Sequence, residues 1–342
     1  MVETPAVAEP SAALAAPEVP DAAAVRAAAE RIAPWIRRTP VLGAAALDAA
    51  AGGRLFFKCE PFQRTGSFKF RGASNAVLSL PEEEARRGVV THSSGNHGAA
   101  LALAARERGI PAWVVMPEGA PAVKRAAVEG YGGRVVFCAL TPEARIEGAA
   151  RVERETGAVL VHPYDDPRVI AGQGTAALEL LEEVPDLDLL VAPVGGGGLL
   201  SGTAIVAAAA GGRAIETIGA EPAAADDAAR SLASGRIEPT SPVTPERPAT
   251  IADGLRSGIC PRTFAVMQTR VARIVTVSEE AIVAAMRTVW ERLKVVTEPS
   301  AAVPVAALLG TGLAAGRRVG VILSGGNVDL DRLPWAGERS GL

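Results

Sequence analysis

From Gly88 onward the chain alternates short β-rich runs with Ala/Glu/Arg stretches of helical character, and this alternation most restricts its fold. Gly88 to Thr91, Trp113 to Met116, Arg134 to Cys138 and Ala158 to His162 read as strands, each preceded or followed by a helix pattern. The pattern resumes with Leu189 to Val194, Thr217 to Ala220, Arg273 to Val277 and Arg318 to Leu323, the last two as the apolar runs of buried strands. Repeated βα units predict an α/β protein whose twisted, mostly parallel sheets are wrapped by helices. At 342 residues the chain is too long for one simple core, so two lobes are expected. Ser278, followed by Glu279 and Glu280, predicts a helix start by capping and dipole logic, and that helix runs through Trp290 and Leu293. Pro239 to Pro248 holds four prolines and reads as a surface loop flanking the active site.

Composition removes several function classes. Aromatics make up 4% of the chain and Ala and Gly are abundant, so the core is built from small aliphatic side chains. A net charge of -3 with scattered basic residues leaves no footprint for nucleic acid or an anionic membrane. No apolar run is long enough to span a bilayer. Cys59, Cys138 and Cys260 are far apart and odd in number, which suits reduced thiols and a cytoplasmic location. Residues 1–20, rich in Ala, Pro and Glu, lack the basic and apolar regions of a signal peptide and read as a disordered tail.

Thr65-Gly66-Ser67-Phe68-Lys69-Phe70-Arg71-Gly72-Ala73 sets one lysine between turn-forming residues and an alanine-rich helix. Only a deprotonated amine attacks a carbonyl, so a Schiff-base lysine must sit where burial or a nearby cation lowers its pKa. Lys69 is a candidate for that role; the alternative is a surface lysine in a first helical turn.

Three further motifs surround a ligand. Thr91-His92-Ser93-Ser94-Gly95-Asn96-His97-Gly98 follows a strand and opens the helix Ala99 to Arg108, placing hydroxyls and free N–H groups at a positive helix end. A carboxylate suits it, and an empty N-capped turn is the alternative. Val194-Gly195-Gly196-Gly197-Gly198-Leu199-Leu200-Ser201-Gly202 also joins a strand to a helix, and its backbone can wrap a phosphate. It matches neither dinucleotide nor P-loop spacing, because Leu200 stands where a third glycine belongs and no Gly-Lys-Ser/Thr follows. Ser324, in Leu323-Ser324-Gly325-Gly326-Asn327, sits at the carboxyl end of the last strand, where it could bond a heteroaromatic nitrogen without charging it. Glu221, Ala225 and Asp227 could hold a hard divalent cation through two carboxylates and a carbonyl, or form a solvated acidic helix start.

Taken in this order, the motifs resemble fold type II pyridoxal-phosphate (PLP) enzymes of the serine/threonine dehydratase and serine racemase family, from about residue 25 to 333. His162-Pro163, Ala171-Gly172-Gln173-Gly174-Thr175, Ala252-Asp253-Gly254 and Trp290-Glu291-Arg292 strengthen the resemblance. It implies a two-lobed, tryptophan synthase β-like fold, with residues 21–85 and 166–335 as the large PLP-binding domain and 86–165 as a small mobile domain. Lys69 is then the Schiff-base lysine, Phe68 and Gly254 flank the pyridine ring, and Asn96 faces the ring 3-oxygen. Gly195 to Gly198 with Leu199 hold the phosphate, and Ser324 contacts the pyridine nitrogen.

The resemblance further implies that Ser93, Ser94, Asn96 and His97 bind the substrate and that Ser94 is an acid/base opposite Lys69. Arg145 is a candidate partner for a second substrate carboxylate. Glu221, Ala225 and Asp227 match the family's Mg or Mn position. The expected activity is threonine or serine dehydration to a 2-oxo acid and ammonia, with some serine racemase capacity, in a homodimer. A racemase or a 3-hydroxyaspartate dehydratase is the rival within PLP enzymes, and a non-catalytic phosphate-ligand binding protein the rival outside them. Ala99 replaces a glutamine of nucleotide-responsive members, although Tyr131, Lys294 and Asn327 agree, so activation by ATP is not expected. Nor is feedback by isoleucine, since no regulatory domain follows Leu342.

Overall fold

The computed structural model describes residues 17–93, 95–120, 122–211, 214–246 and 248–335. Among the described residues ten strands form two sheets: β1 (Val41–Leu42), β2 (Arg54–Cys59), β3 (Val89–Thr91), β4 (Ala112–Pro117), β5 (Arg134–Cys138), β6 (Val159–Leu160), β7 (Leu189–Pro193), β8 (Glu216–Pro222), β9 (Arg273–Val277) and β10 (Arg318–Leu323). The larger sheet has the order β1-β2-β10-β7-β8-β9 and the smaller β5-β4-β3-β6. Every neighbouring pair is parallel except β1 with β2. The fold is α/β with parallel sheets wrapped by helices, as the alternation predicts.

Two differences from the sequence reading have physical causes. Arg273–Val277 is not a buried strand: it is the edge of the large sheet, and Arg273 and Thr276 are exposed. An edge strand pairs on one side only and tolerates polar residues. The unpredicted β2 lies second in its sheet, paired along its whole length with β10 and over two residues with β1, and inserts Lys58 into its run with the ammonium completely buried on Glu179, 2.6 Å away.

Small residues set the helix spacing. The helices Lys69–Leu78, Pro167–Glu183 and Gly198–Ala208 approach so closely that a Cβ on Gly172 would lie 2.6 Å from Gly72 Cα, and one on Gly202 2.6 Å from Gly174 N. This closeness explains an Ala/Gly-rich core. The helix Glu279–Arg292 begins as predicted, with the Ser278 side chain accepting from Ala281 N. Residues 1–16 of the expected tail lie outside the described residues, whereas Val19 packs on the core and Pro20 is buried. Among the described residues no helix is long and apolar enough to cross a membrane.

Candidate active site

Ligands of open parallel sheets collect beyond the carboxyl ends of the strands, and here those ends carry the motifs. β7 runs into the tetraglycine loop, β10 into Ser324, β3 into His92 and β6 into His162-Pro163. An antiparallel bridge between Ser67 and Gly325, and a hydrogen bond from Phe68 N to Ser324 O (3.0 Å), lock the lysine segment against the end of β10. Lys69 is therefore the first residue of a helix that starts inside the site.

Its Nζ donates to Pro163 O at 2.9 Å and lies 5.1 Å from the centre of the Phe68 ring. Burial pulls the amine down from the ordinary 10.5 to about 8, opposed by the charge of Glu298. A usable fraction is therefore neutral near pH 7, the condition for attack on a carbonyl. His92, His97 and His162, the three histidines of the chain, are each held below the usual imidazole range, first by burial, with His162 at about 4; the charge of Lys69 also lowers His97 and His162, and that of Arg145 lowers His92. They form a neutral wall. Edge-on ring contacts link His92, His162 and Tyr164, with centroids 4.9 and 4.6 Å apart.

The tetraglycine loop turns into the helix Gly198–Ala208 with Gly197 at φ +89° as N-cap and no side chain capping the helix. A Cβ at Gly196 would overlap the Tyr164 ring, and one at Gly195 would lie 2.9 Å from Leu255 Cα. Nothing larger than glycine fits, and the uncapped N–H groups at the start of the helix remain for an anion. Phosphate fits this cradle, and an aldehyde fits the amine beside it. The residues present thus suit the cofactor the resemblance implies.

The other expected residues are distributed as follows. Asn96 opens the helix Asn96–Arg108, three residues earlier than predicted, and its side chain bonds Glu298 and Asn327. Ser93 precedes the Gly95 N-cap, and Ser94 lies outside the described residues. His97 is turned inward, buried, with Nε2 on Val161 O and Nδ1 unpartnered. Gly254 N donates to Ser300 Oγ at 3.1 Å. Arg145 carries a buried, unpartnered Nε and depresses the His92 pKa, so a cation stands beside the histidine wall.

Away from the cradle, at the carboxyl end of β8, Glu221 accepts from Ala228 N and Ala229 N, and Asp227 accepts from Ile259 N. Burial, and for Glu221 also the charge of Asp227, pushes both carboxyls up, Glu221 to about 8. Ala225 sits in the turn between them, its N–H on Pro222 O. Among the described residues no three His, Cys, Asp or Glu side chains cluster as metal ligands.

Sequence reasoning missed Glu298 and the buried charges under the lysine helix. Glu298 stands at the N-cap of the helix Pro299–Thr311, a position that favours Ser, Thr, Asp or Asn, and the unusual residue there was the available signal. Two residues past Lys69, Arg71 grips Glu60 (2.8 and 2.8 Å) and Glu179 (2.7 and 2.9 Å) through paired bonds, and Lys58 joins Glu179. No local pattern marks such a network, because its contacts span 11 to 121 positions of the chain.

A reactive lysine and an anion cradle, set together at the carboxyl ends of parallel strands, define a class of enzyme that carries a phosphorylated aldehyde on the protein. The chain belongs to the PALP family of pyridoxal-phosphate-dependent enzymes, whose profile matches residues 32–325. It is 50% identical over 312 residues to a beta-hydroxyaspartate dehydratase of Paracoccus denitrificans, covering 90% of this chain and 96% of that one. The structure of maize serine racemase superposes with a TM-score of 0.88 at 46% identity, covering 92% and 95% of the two chains. A threonine deaminase from T.th. superposes at 0.85 with 44% identity, covering 92% of this chain and 100% of that one.

Proposed function

We propose that this PLP-dependent enzyme is a lyase that dehydrates a β-hydroxy amino acid, threonine or serine, to a 2-oxo acid and ammonia, with some racemase capacity. The observation that carries this reading is the Lys69 amine, lowered to about 8 and held at Pro163 O beside the glycine cradle. When bound, the cofactor supplies an electron sink for negative charge at the substrate Cα. Lys69 would hold the cofactor through its amine and, as the free amine, would take the proton from the substrate Cα. Gly195 to Gly198 and the N–H of Leu199 bind the phosphate; Phe68 and Gly254 confine the ring. Ser324 would meet the ring nitrogen as a neutral hydroxyl and so leave it without a full positive charge.

The segment Ser93 to His97 binds the substrate carboxylate, through backbone N–H groups in the case of the inward-turned His97. Ser94 would act as a second acid/base, and a two-base site reprotonates Cα from either side. Glu221, the Ala225 carbonyl and Asp227 hold Mg or Mn, which would relieve the repulsion between two buried carboxylates. A homodimer is the expected assembly.

A second reading has its own support. Arg145, with its unpartnered Nε, would pair with a second carboxylate and make 3-hydroxyaspartate a substrate. Assaying 2-oxo acid release from threonine, serine and 3-hydroxyaspartate, with chiral analysis of the remaining substrate, tests these readings. Absence of 2-oxo acid from all three would overturn the lyase assignment. Turnover of 3-hydroxyaspartate alone, abolished by Arg145→Ala, would select the second.

A further inference from the structure

Glu298 stands where a carboxylate ordinarily caps its own helix, yet it makes no such bond. Its two oxygens instead accept from Asn96 Nδ2, at 2.9 and 3.1 Å, across 202 positions of sequence. Asn327 Nδ2 completes the array by donating to Asn96 Oδ1 (2.9 Å) and to Thr65 O (2.8 Å), and the Asn327 backbone N–H also serves the Glu298 carboxylate. Two glycines clear the space. A Cβ on Gly325 would lie 2.7 Å from Glu298 Oε1, and one on Gly66, at φ +74°, would fall on Asn327 Oδ1.

An amide side chain can flip, and only its partners decide which end faces where. Thr65 O only accepts, so Asn327 Nδ2 faces it and also donates to Asn96 Oδ1, which turns Asn96 Nδ2 toward Glu298; burial pushes that carboxyl up to about 7, and in its ionised form it only accepts. One orientation satisfies both. The Nδ2 group carries two hydrogens, and the carboxylate engages it from one side, leaving the other for an oxygen in the site. We propose that Glu298 is the positioning residue of the active site: it aims the Asn96 amide so that its remaining hydrogen meets the cofactor's ring oxygen. This deepens the function proposed above and rests on its placement of Asn96. The charges facing Glu298 are Lys69, Asp253 and Lys124, the last two paired with each other at 2.5 Å.

The test is a mutant cycle read by cofactor affinity and by the absorption spectrum of the bound cofactor. Glu298→Ala should weaken PLP binding about tenfold and shift the bound spectrum, the size of one lost charge-assisted hydrogen bond. Glu298→Gln, whose amide oxygen still accepts, should restore most of the affinity. In an Asn96→Ala background, replacing Glu298 should change affinity by less than about twofold, because nothing is left to aim. An active Asn96→Ala with an inert Glu298→Ala overturns the proposal alone, as does an equal Glu298 effect in both backgrounds. An inert Asn96→Ala instead removes the placement of Asn96, and the proposal with it. Should Glu298→Ala not fold, Glu298→Gln in the two backgrounds carries the same comparison.

Discussion

Replacing Arg71 by methionine is expected to destabilise the protein by about 3–5 kcal/mol, the cost of leaving a buried charge without its partner. The magnitude follows from the contacts. Arg71 and Glu60 are completely buried, and the guanidinium makes two bonds to Glu60 and two to Glu179. Two cations, Arg71 and Lys58, balance two carboxylates, and Lys58 is already committed to Glu179 and Thr39 O. Methionine fills much of the volume but strands Glu60, so the loss is electrostatic and not a cavity effect. In thermal melts of the unliganded protein at pH 7 the midpoint should fall on the order of 10 °C.

The pH dependence distinguishes the cause. A buried carboxylate left without its cation is penalised most where it is charged, and the penalty shrinks as the pH falls. The gap between variant and parent should therefore narrow from pH 8 to pH 5, and Glu60→Gln added to the variant should narrow it at pH 7. A loss below about 1 kcal/mol, or a gap that does not change with pH, would refute the reasoning.

Other expectations are more direct. Lys69→Met should stabilise the unliganded protein by up to about 3 kcal/mol at pH 7, because the folded state holds a protonated amine whose pKa has dropped from 10.5 to about 8. That gain should shrink as pH rises from 8 toward 10.5, and an unchanged gain at pH 9.5 in denaturant titrations would contradict it. Gly196→Ala should cost about 1–3 kcal/mol and weaken cofactor binding, since its methyl overlaps the Tyr164 ring; equal melting and affinity to the parent would count against the cradle. Chelation should lower the melting temperature of the parent but not of Asp227→Asn, as read by calorimetry with and without added Mg. Ser94→Ala should remove D-serine formation while sparing dehydration, and unchanged D-serine by chiral chromatography would exclude Ser94 as the second base.

Eight of the ten strands were legible in the sequence, because a buried parallel strand and an amphipathic helix each leave a local periodic mark. The glycine loop, the lysine segment and Ser324 were legible for a similar reason: turns, close backbone approaches and helix starts need particular residues at fixed offsets. β2 escaped because a buried lysine interrupts its apolar run, and that lysine makes sense only opposite Glu179. The edge position of β9 was likewise invisible, since strand order is a property of the sheet and not of the strand.

By itself, then, the chain determined which segments are strands and helices and which short motifs make a glycine turn or set a lysine at a helix start, since these depend on neighbours a few residues apart. Tertiary structure alone decided that Glu298 meets Asn96 across 202 positions, that Arg71 is locked between Glu60 and Glu179, and that His97 and His162 come within reach of the Lys69 charge. Those contacts arise where parallel strands from two sheets end facing a common space, and no local pattern encodes which distant side chain arrives there.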